Sequence, residues 1–414
     1  MMAKFQPRIA IVGGGPSGLS LGLLLFNRGV QVTIYELRKE PTKEELEKPS
    51  GMLDLHEESG QKVIRECGLW VDFQAAIGDC SEACKVIDSD GTVLHADEGE
   101  LSSRPEIPRH ALLKMLTGSL PEGTVKWNHK ITAIRNEIES TTGATKIIID
   151  FASRESATYD FVVGADGAWS RVRKLLSDAI PFYVGAQFLQ ATASNVTSNY
   201  PHLLELNGPG TVMALGGRNG ILTHRGPQDS IRVYAAITTP HEDWLGNTGL
   251  MGKTSAELRE KLVSDDSLFK TWAPSLQDLL TTACDEQTKD NPGQPAEVLP
   301  IYMLPIGHRW EFKTGLTLIG DAAHLMSPFA GEGVNLALWD SLDLAHMLAA
   351  VPEATEAAAW QAALEPGLRG FEEKMLARAQ EKAEESSQNK EVMLGEKGAQ
   401  GMAAFFQQAY QQQE

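Results

Sequence analysis

Residues 8–18 read Arg8-Ile9-Ala10-Ile11-Val12-Gly13-Gly14-Gly15-Pro16-Ser17-Gly18, and this stretch decides the fold. The short apolar run Ile9 to Val12 predicts a buried strand, and Pro16 to Arg28 predicts an apolar helix closed by Gly29. Gln31 to Tyr35 alternates and is β-branched, so a second strand follows and the segment is a βαβ unit. Within it Gly13 permits the tight turn, Gly15 lets the backbone approach a pyrophosphate, and Gly18 lets helix and strand pack closely. Ser17 shares the first helical turn, where free N–H groups and the positive end of the helix dipole favour phosphate. Glu36 ends the second strand at roughly the 20-residue interval expected of a carboxylate that accepts a ribose hydroxyl. These features predict a dinucleotide site without saying which dinucleotide.

Outward from this unit, Glu44 to Lys48 is charged and loop-like, and Gly60 to Leu69 predicts an amphipathic helix ended by Gly68. Lys85 to His95 (KVIDSDGTVLH) predicts a hairpin about an Asp-Gly turn. Arg109 to Leu120 is helical by its leucine spacing, while Thr124 to Ile138 and Lys146 to Val163 predict several antiparallel strands. From Ala186 to Thr239 short strands punctuated by Gly, Pro and Asn predict a separate, mostly antiparallel sheet with little helix. Helices at Ser255 to Val263 and Ser275 to Cys284 precede a break at Asn291 to Pro295. Gly315 to Ile319 returns to a strand, Glu332 to Val351 to a long helix, and Thr355 to Gln413 is an Ala/Glu/Gln-rich helical tail with a frayed end.

The expected fold class is therefore α/β. A Rossmann-like nucleotide domain is assembled from residues 1–72, 98–175 and 293–352. A mostly antiparallel substrate domain comprises 73–97 and 176–292, and C-terminal helices over 353–414 bridge the two.

Composition narrows the function. With 414 residues, 42% hydrophobic and 22% charged, the chain can bury a substantial core. A net charge of -18 with no basic cluster disfavours nucleic acid. The longest apolar run, Leu19 to Phe26, falls short of the roughly 20 residues that span a bilayer, and no secretory leader is apparent, so a cytoplasmic protein is expected. Cys80 and Cys84 are not spaced as a redox dithiol, Cys67 and Cys284 have no obvious partner, and no metal-ligand spacing occurs.

Two later stretches bear on the dinucleotide. One is Val162-Val163-Gly164-Ala165-Asp166-Gly167-Ala168-Trp169-Ser170-Arg171-Val172-Arg173. The other is Leu318-Ile319-Gly320-Asp321-Ala322-Ala323-His324, continuing through Pro328-Phe329-Ala330-Gly331-Glu332-Gly333-Val334-Asn335. With the first glycine motif they resemble the three motifs, in order, of the single-component class A flavin monooxygenases. A second glycine fingerprint and a Cys-x-x-Cys, which a glutathione-reductase type enzyme needs, are lacking; Gly216-Gly217-x-x-Gly220 is the nearest candidate and reads as a turn. Within the family, Gly51-Met52-Leu53-Asp54-Leu55-His56 and Glu385-Ser386-Ser387-Gln388-Asn389 are similar to the tetracycline-inactivating members.

The resemblance implies bound FAD, with Asp54, Arg109, Asp166, Asp321 and the turn Pro328, Gly331, Gly333, Val334 and Asn335 at the cofactor. It implies that Gln190, Pro328, Phe329 and Ala330 meet the substrate. It further implies that NADPH reduces FAD, that O2 adds to the reduced flavin as a hydroperoxide, and that one oxygen passes to an aromatic, polyketide-like or tetracycline-like small molecule. No catalytic side chain and no metal is then required, because the flavin carries the chemistry. His324 and His56 are expected to pack near the cofactor rather than act as bases. Two departures stand out: Leu37 intervenes between Glu36 and Arg38, and Glu332 stands where glutamine is commoner. The implied protein is a monomer or weak dimer. Alternatives on the same fold are a halogenase, whose Trp-x-Trp-x-Ile-Pro stretch is missing, another flavin reductase, or a non-catalytic nucleotide-fold binding protein.

Overall fold

The computed structural model describes residues 4–77, 81–99 and 104–411; Cys80 and the last residues of the polar tail lie outside these. Five parallel strands run in the order Leu316–Leu318, Phe161–Gly164, Ile9–Val12, Val32–Tyr35, Val125–Lys126. The three strands on the Leu316 side are buried along their whole length, as expected where a parallel sheet is covered on both faces. The helices Pro16–Asn27 and Gly333–Ala349 pack together, and Ser341 Oγ donates to the Ser17 carbonyl at 2.8 Å. Ile131, Ile147 and Ile149, from an antiparallel three-stranded sheet, join the same core.

The second sheet has seven strands, ordered Glu297–Met303, Phe182–Ala193, Ser230–Thr238, Asn219–Gly226, Thr211–Gly216, Cys84–Asp88, Val93–Asp97. Every neighbouring pair is antiparallel except Thr211–Gly216 with Cys84–Asp88, so the sheet is mixed. The exception has a topological cause. The Asp-Gly hairpin is an excursion of the chain that attaches to the sheet edge, and its first strand meets Thr211–Gly216 running the same way. One face of this sheet packs on helices Ser255–Ser264 and Pro274–Asp290 through Leu258, Leu276, Leu280 and Phe269.

Several local expectations need correction. Glu44 to Lys48 is not a loop: Lys43–Glu47 is a short helix, because Thr42 and Glu45 form a reciprocal capping box. The stretch from Thr124 to Val163 is not wholly antiparallel. Its first strand and its last, Val125–Lys126 and Phe161–Gly164, belong to the parallel sheet, and only the middle forms the antiparallel meander. Helices Val196–Asn199 and Pro201–Asn207 interrupt the region from Ala186 to Thr239 read as strands with little helix. The return to the nucleotide half falls later than 293, since Glu297–Met303 pairs with Phe182–Ala193 as an edge strand. Gly216 and Gly217 lie at a hairpin turn, with Gly217 and Arg218 both at positive φ.

The tail forms two helices, Ala357–Met393 and Gly398–Gln411. The first half of the long helix buries Trp360, Leu364, Leu368 and Phe371 in the nucleotide core, and its far end places Met393 in the cluster beneath the second sheet. Leu368 is fully buried, so Leu368→Ala should cost roughly 2–5 kcal/mol. Urea unfolding read by circular dichroism measures this, and an unchanged midpoint would mean the helix is not docked there.

Candidate active site

The strands of the parallel sheet end together. Gly13 N donates to the Tyr35 carbonyl at 2.8 Å, Ala165 N to that of Val12 at 2.7 Å, and Ile319 N to that of Gly164 at 2.9 Å. Gly13 has φ +112, and a Cβ there would stand 2.1 Å from the Ala165 carbonyl oxygen; a Cβ on Gly18 would stand 2.0 Å from the Gly13 carbonyl oxygen. Both glycines are therefore required by backbone contact. At Gly15 nothing lies within 4 Å of a Cβ, so the space opens there. Gly15 precedes the helix without any side-chain cap, and no acidic residue occupies the first turn. Free N–H groups and an uncompensated dipole end thus face a cavity, a fit for phosphate.

That cavity, about 1680 Å3, runs from the glycine turn to the second sheet. Gly15 and Ser17 line one end. Asp54, Arg109, Asp321 and the turn residues Pro328, Gly331, Gly333 and Val334 line the middle. Gln190, Phe329 and Ala330 line the sheet end. A volume this large exceeds the roughly 300–1,000 Å3 of a single small-ligand pocket, so it has room for a dinucleotide's ring and a second molecule. Helix Gly333–Ala349 also starts without a side-chain cap, presenting a second free N-terminus to the same space.

Asp321 opens the short helix Asp321–His324 immediately after Gly320, and its carboxylate faces the cavity lumen ringed by protein. Burial pushes this carboxyl up from its ordinary value, opposed by His324, Arg109 and Arg173. Behind it, His324 Nε2 meets the fully buried Asp340 at 2.6 Å, and Gly320 N and Arg378 Nη2 donate to the same carboxylate at 3.0 and 3.2 Å. Burial works against a charged His324, but Asp340 prevails and holds its pKa above the usual histidine value. His324 does not line the cavity; it fixes the turn that carries Asp321.

Gly13, Gly18, Glu36, Asp166 and Asn335 do not line the cavity either. The two glycines are filled by backbone, as above. Glu36 accepts from Gly14 N at 2.7 Å, Arg38 N at 2.8 Å and Arg38 Nε at 2.9 Å. Burial raises its pKa, but those hydrogen bonds outweigh it and hold the carboxylate below the ordinary range. Asp166 turns into its own loop, accepting from Ser170 Oγ and from Arg171 N at 2.7 Å. The Asn335 side chain clamps the Asp54 to Ser59 segment: Nδ2 donates to the Asp54 carbonyl at 3.0 Å, and Oδ1 accepts from His56 N at 2.9 Å. His56 is buried, with Nε2 at 2.9 Å from Asp54 Oδ2.

At the sheet end Gln190 Oε1 accepts from Arg232 Nη2, and Arg232 Nη1 donates to Thr192 Oγ1 at 2.8 Å. Phe188 meets Phe329 edge-on at 5.7 Å. Arg232 and Tyr234 line the cavity but went unnoticed in the sequence. Strand alternation around Gln190 carries the signal for them, because Gln190 pairs with Tyr234 and Thr192 with Arg232 in the register. Asn389, Met393, Met402, Phe405 and Phe406 of the terminal helices also line it. Their spacing reads as an ordinary amphipathic face, and only docking reveals which neighbour that face meets. Among the described residues no group of three metal-ligating side chains occurs, and no helix is long and apolar enough to cross a membrane. Cys67, Cys84 and Cys284 are free thiols that burial pushes up to about 12, which leaves them poor nucleophiles.

Comparison with known proteins bears on the fold and the cofactor. Residues 7–223 and 306–363 match the model of an FAD binding domain. The chain is 34% identical to monooxygenase penA of Penicillium thymicola over 403 residues, covering 88% of this chain and 90% of that protein. It is 32% identical to monooxygenase asqM of Emericella nidulans, covering 98% and 99%. Klebsiella pneumoniae HpxO, solved with FAD and uric acid, superposes with TM-score 0.74 at 17% identity over 98% of this chain and 93% of its own. The tetracycline destructase Tet(55) does so with TM-score 0.65 at 18% identity over 93% and 90%, a likeness of fold. The chain belongs to the class A FAD-dependent monooxygenases.

Proposed function

We propose that this enzyme takes electrons from NADPH or NADH and places one oxygen atom of O2 on an electron-rich carbon of a small aromatic, polyketide-like or tetracycline-like molecule. The observation that carries this reading is the continuity of one cavity from an uncapped phosphate-binding helix start, past Asp321, to a sheet face bearing Gln190 and Phe188. The bound flavin supplies the electron and oxygen transfer; the chain supplies position, polarity and exclusion of water.

In this reading the first turn after Gly15 holds the pyrophosphate, with Ser17 beside it. Glu36 accepts the ribose hydroxyls once the largely exposed Arg38 swings outward. Asp321 accepts hydroxyls of the ribityl chain, and Arg109 and Asp54 flank the same space. The helix start at Gly333 and Val334 meets the ring where negative charge gathers on reduction. Gln190, Pro328, Phe329 and Ala330 contact the substrate, and the Met and Phe side chains of the terminal helices close the sheet end to water. Asp166 acts at one remove, by fixing the turn whose neighbours Ala165 and Gly167 reach the cavity.

The purified protein is expected to be yellow, and to oxidise NADPH in air faster when an accepted phenol, polyketide or tetracycline is added. Oxygen from 18O2 should appear in the product. Product formed at the same rate without O2 would overturn the monooxygenase reading.

Two variants test the residue roles. Gly13→Ala places a methyl 2.1 Å from the Ala165 carbonyl oxygen, so flavin binding should be lost, as read by fluorescence titration. Asp321→Asn should weaken FAD binding roughly 10- to 100-fold, the range for a charged hydrogen bond. The same variant should not destabilise the flavin-free protein at neutral pH. An acid whose folded pKa is raised costs stability when ionised, and that cost disappears as pH falls through the folded value. Thermal midpoints at pH 7 and pH 4 measure the difference; full FAD affinity in Asp321→Asn would remove the assigned role.

A further inference from the structure

The helix Gly333–Ala349 begins at Glu332, an awkward residue to find there. A carboxylate at the N-cap ordinarily accepts from the first-turn N–H groups and neutralises the positive end of the dipole. A cofactor that uses the same helix end would lose its donors and meet a like charge. Yet Glu332 makes no capping hydrogen bond. Its Oε1 lies 2.7 Å from Lys382 Nζ, reached from the C-terminal helix Ala357–Met393, and its Oε2 lies 3.5 Å from Nδ1 of the buried His56.

We infer that Lys382 is a positioning residue for the flavin: by drawing Glu332 off the helix end and neutralising it, this lysine sets the reduction potential of the bound ring.

The ring's place follows from the cavity. Phosphate belongs at the uncapped turn after Gly15, and the substrate at the sheet face bearing Gln190 and Phe188. The redox ring must lie between them, along the turn from Pro328 to Val334, where Phe329 already touches Phe188. Reduction adds a hydride, which is two electrons and one proton, and leaves a neutral ring with a net negative charge. Every fixed charge beside that end of the cavity therefore enters the potential.

The surroundings make the lysine decisive. Asp54 lines the cavity and comes within 3.5 Å of where a Cβ on Gly331 would stand, and Glu385 lines it also. With Glu332, that gives three carboxylates about the turn. Lys382 pairs with two of them, at 2.7 Å to Glu332 and 3.0 Å to Glu385. Burial works against its charge, but Glu332 and Glu385 hold its pKa above the usual lysine value. Glu332 is itself only 11% exposed in its side chain, so water does little to screen it.

The test uses the intact flavin-loaded enzyme and measures the two-electron potential by equilibration with a reference dye, together with FAD affinity and thermal midpoint. Lys382→Met should shift the reduced-to-oxidised ratio at least tenfold toward the oxidised form, about 30 mV more negative for a two-electron couple. Lys382→Arg should keep the wild-type potential. Glu332→Gln, which leaves Lys382 in place, should move the potential in the opposite direction, and the double variant Lys382→Met/Glu332→Gln should return towards wild type. A Lys382→Met protein with a lower thermal midpoint but an unchanged potential would make the lysine a mere staple between helices and overturn the inference. Should that variant fail to hold flavin, an unmoved potential in Glu332→Gln overturns it equally. A wild-type protein that binds no flavin would instead contradict the family assignment.

Discussion

The close passage of the Gly13 backbone over the Ala165 carbonyl is the contact on which the arrangement rests. A single methyl group at Gly13 would collide with backbone rather than with a movable side chain. Because the methyl is absent, the strands Ile9–Val12 and Phe161–Gly164 can end at one level, and the hydrogen bond from Ile319 N to Gly164 carries the same edge across to Leu316–Leu318. Three segments separated by about 150 residues each, on the order of a whole domain length, thereby deliver their turns to one cavity. The parallel sheet acts here as a jig: its buried core fixes strand height, and strand height fixes which turns can share a ligand.

What the sequence made legible follows from how local each signal is. The glycine turn, the Gly-Asp turn and the helix behind Gly333 announce themselves because backbone geometry restricts the residues allowed at each step. The Asp-Gly hairpin was equally readable, and it formed as expected between Cys84–Asp88 and Val93–Asp97. Partnership across the chain was not readable. Nothing in Val125–Lys126 distinguishes a strand that joins the parallel sheet from one that continues a meander, and Glu297–Met303 reads the same whether it closes one domain or opens another. Asn335 was expected at the cofactor, but it does not line the cavity and its amide faces Asp54 and His56, a choice made by tertiary contact alone.

Polar groups around the site divide into those that face the cavity and those that hold the facing ones still. Asp321 faces it; Asp340, taking donors from His324, Gly320 and Arg378, holds the turn beneath. Buried carboxylates of this kind are costly unless each lone pair finds a donor, and Asp340 finds three. The histidine beside Gly-Asp, tempting as a base in the sequence, is thereby engaged in structure. The ionisable side chains about the expected reaction locus read in the same way, as charges to be balanced: a cofactor that performs the electron and oxygen transfer needs a correctly charged surround more than it needs a proton donor.

The long C-terminal helix completes that surround, and its role is electrostatic as well as steric. It is anchored in the nucleotide core by Trp360, Leu364 and Leu368 and reaches the second sheet at Met393, so one continuous helix touches both halves. Lys382 and Arg378 stand one turn apart on it and contact acids belonging to the same helix, Glu332 at its start and Asp340 two turns later. A tail that reads as an Ala/Glu/Gln-rich helix thus supplies two of the cations that balance the acids of that neighbouring helix. Its register against that helix therefore matters to the cofactor even where the tail touches no ligand.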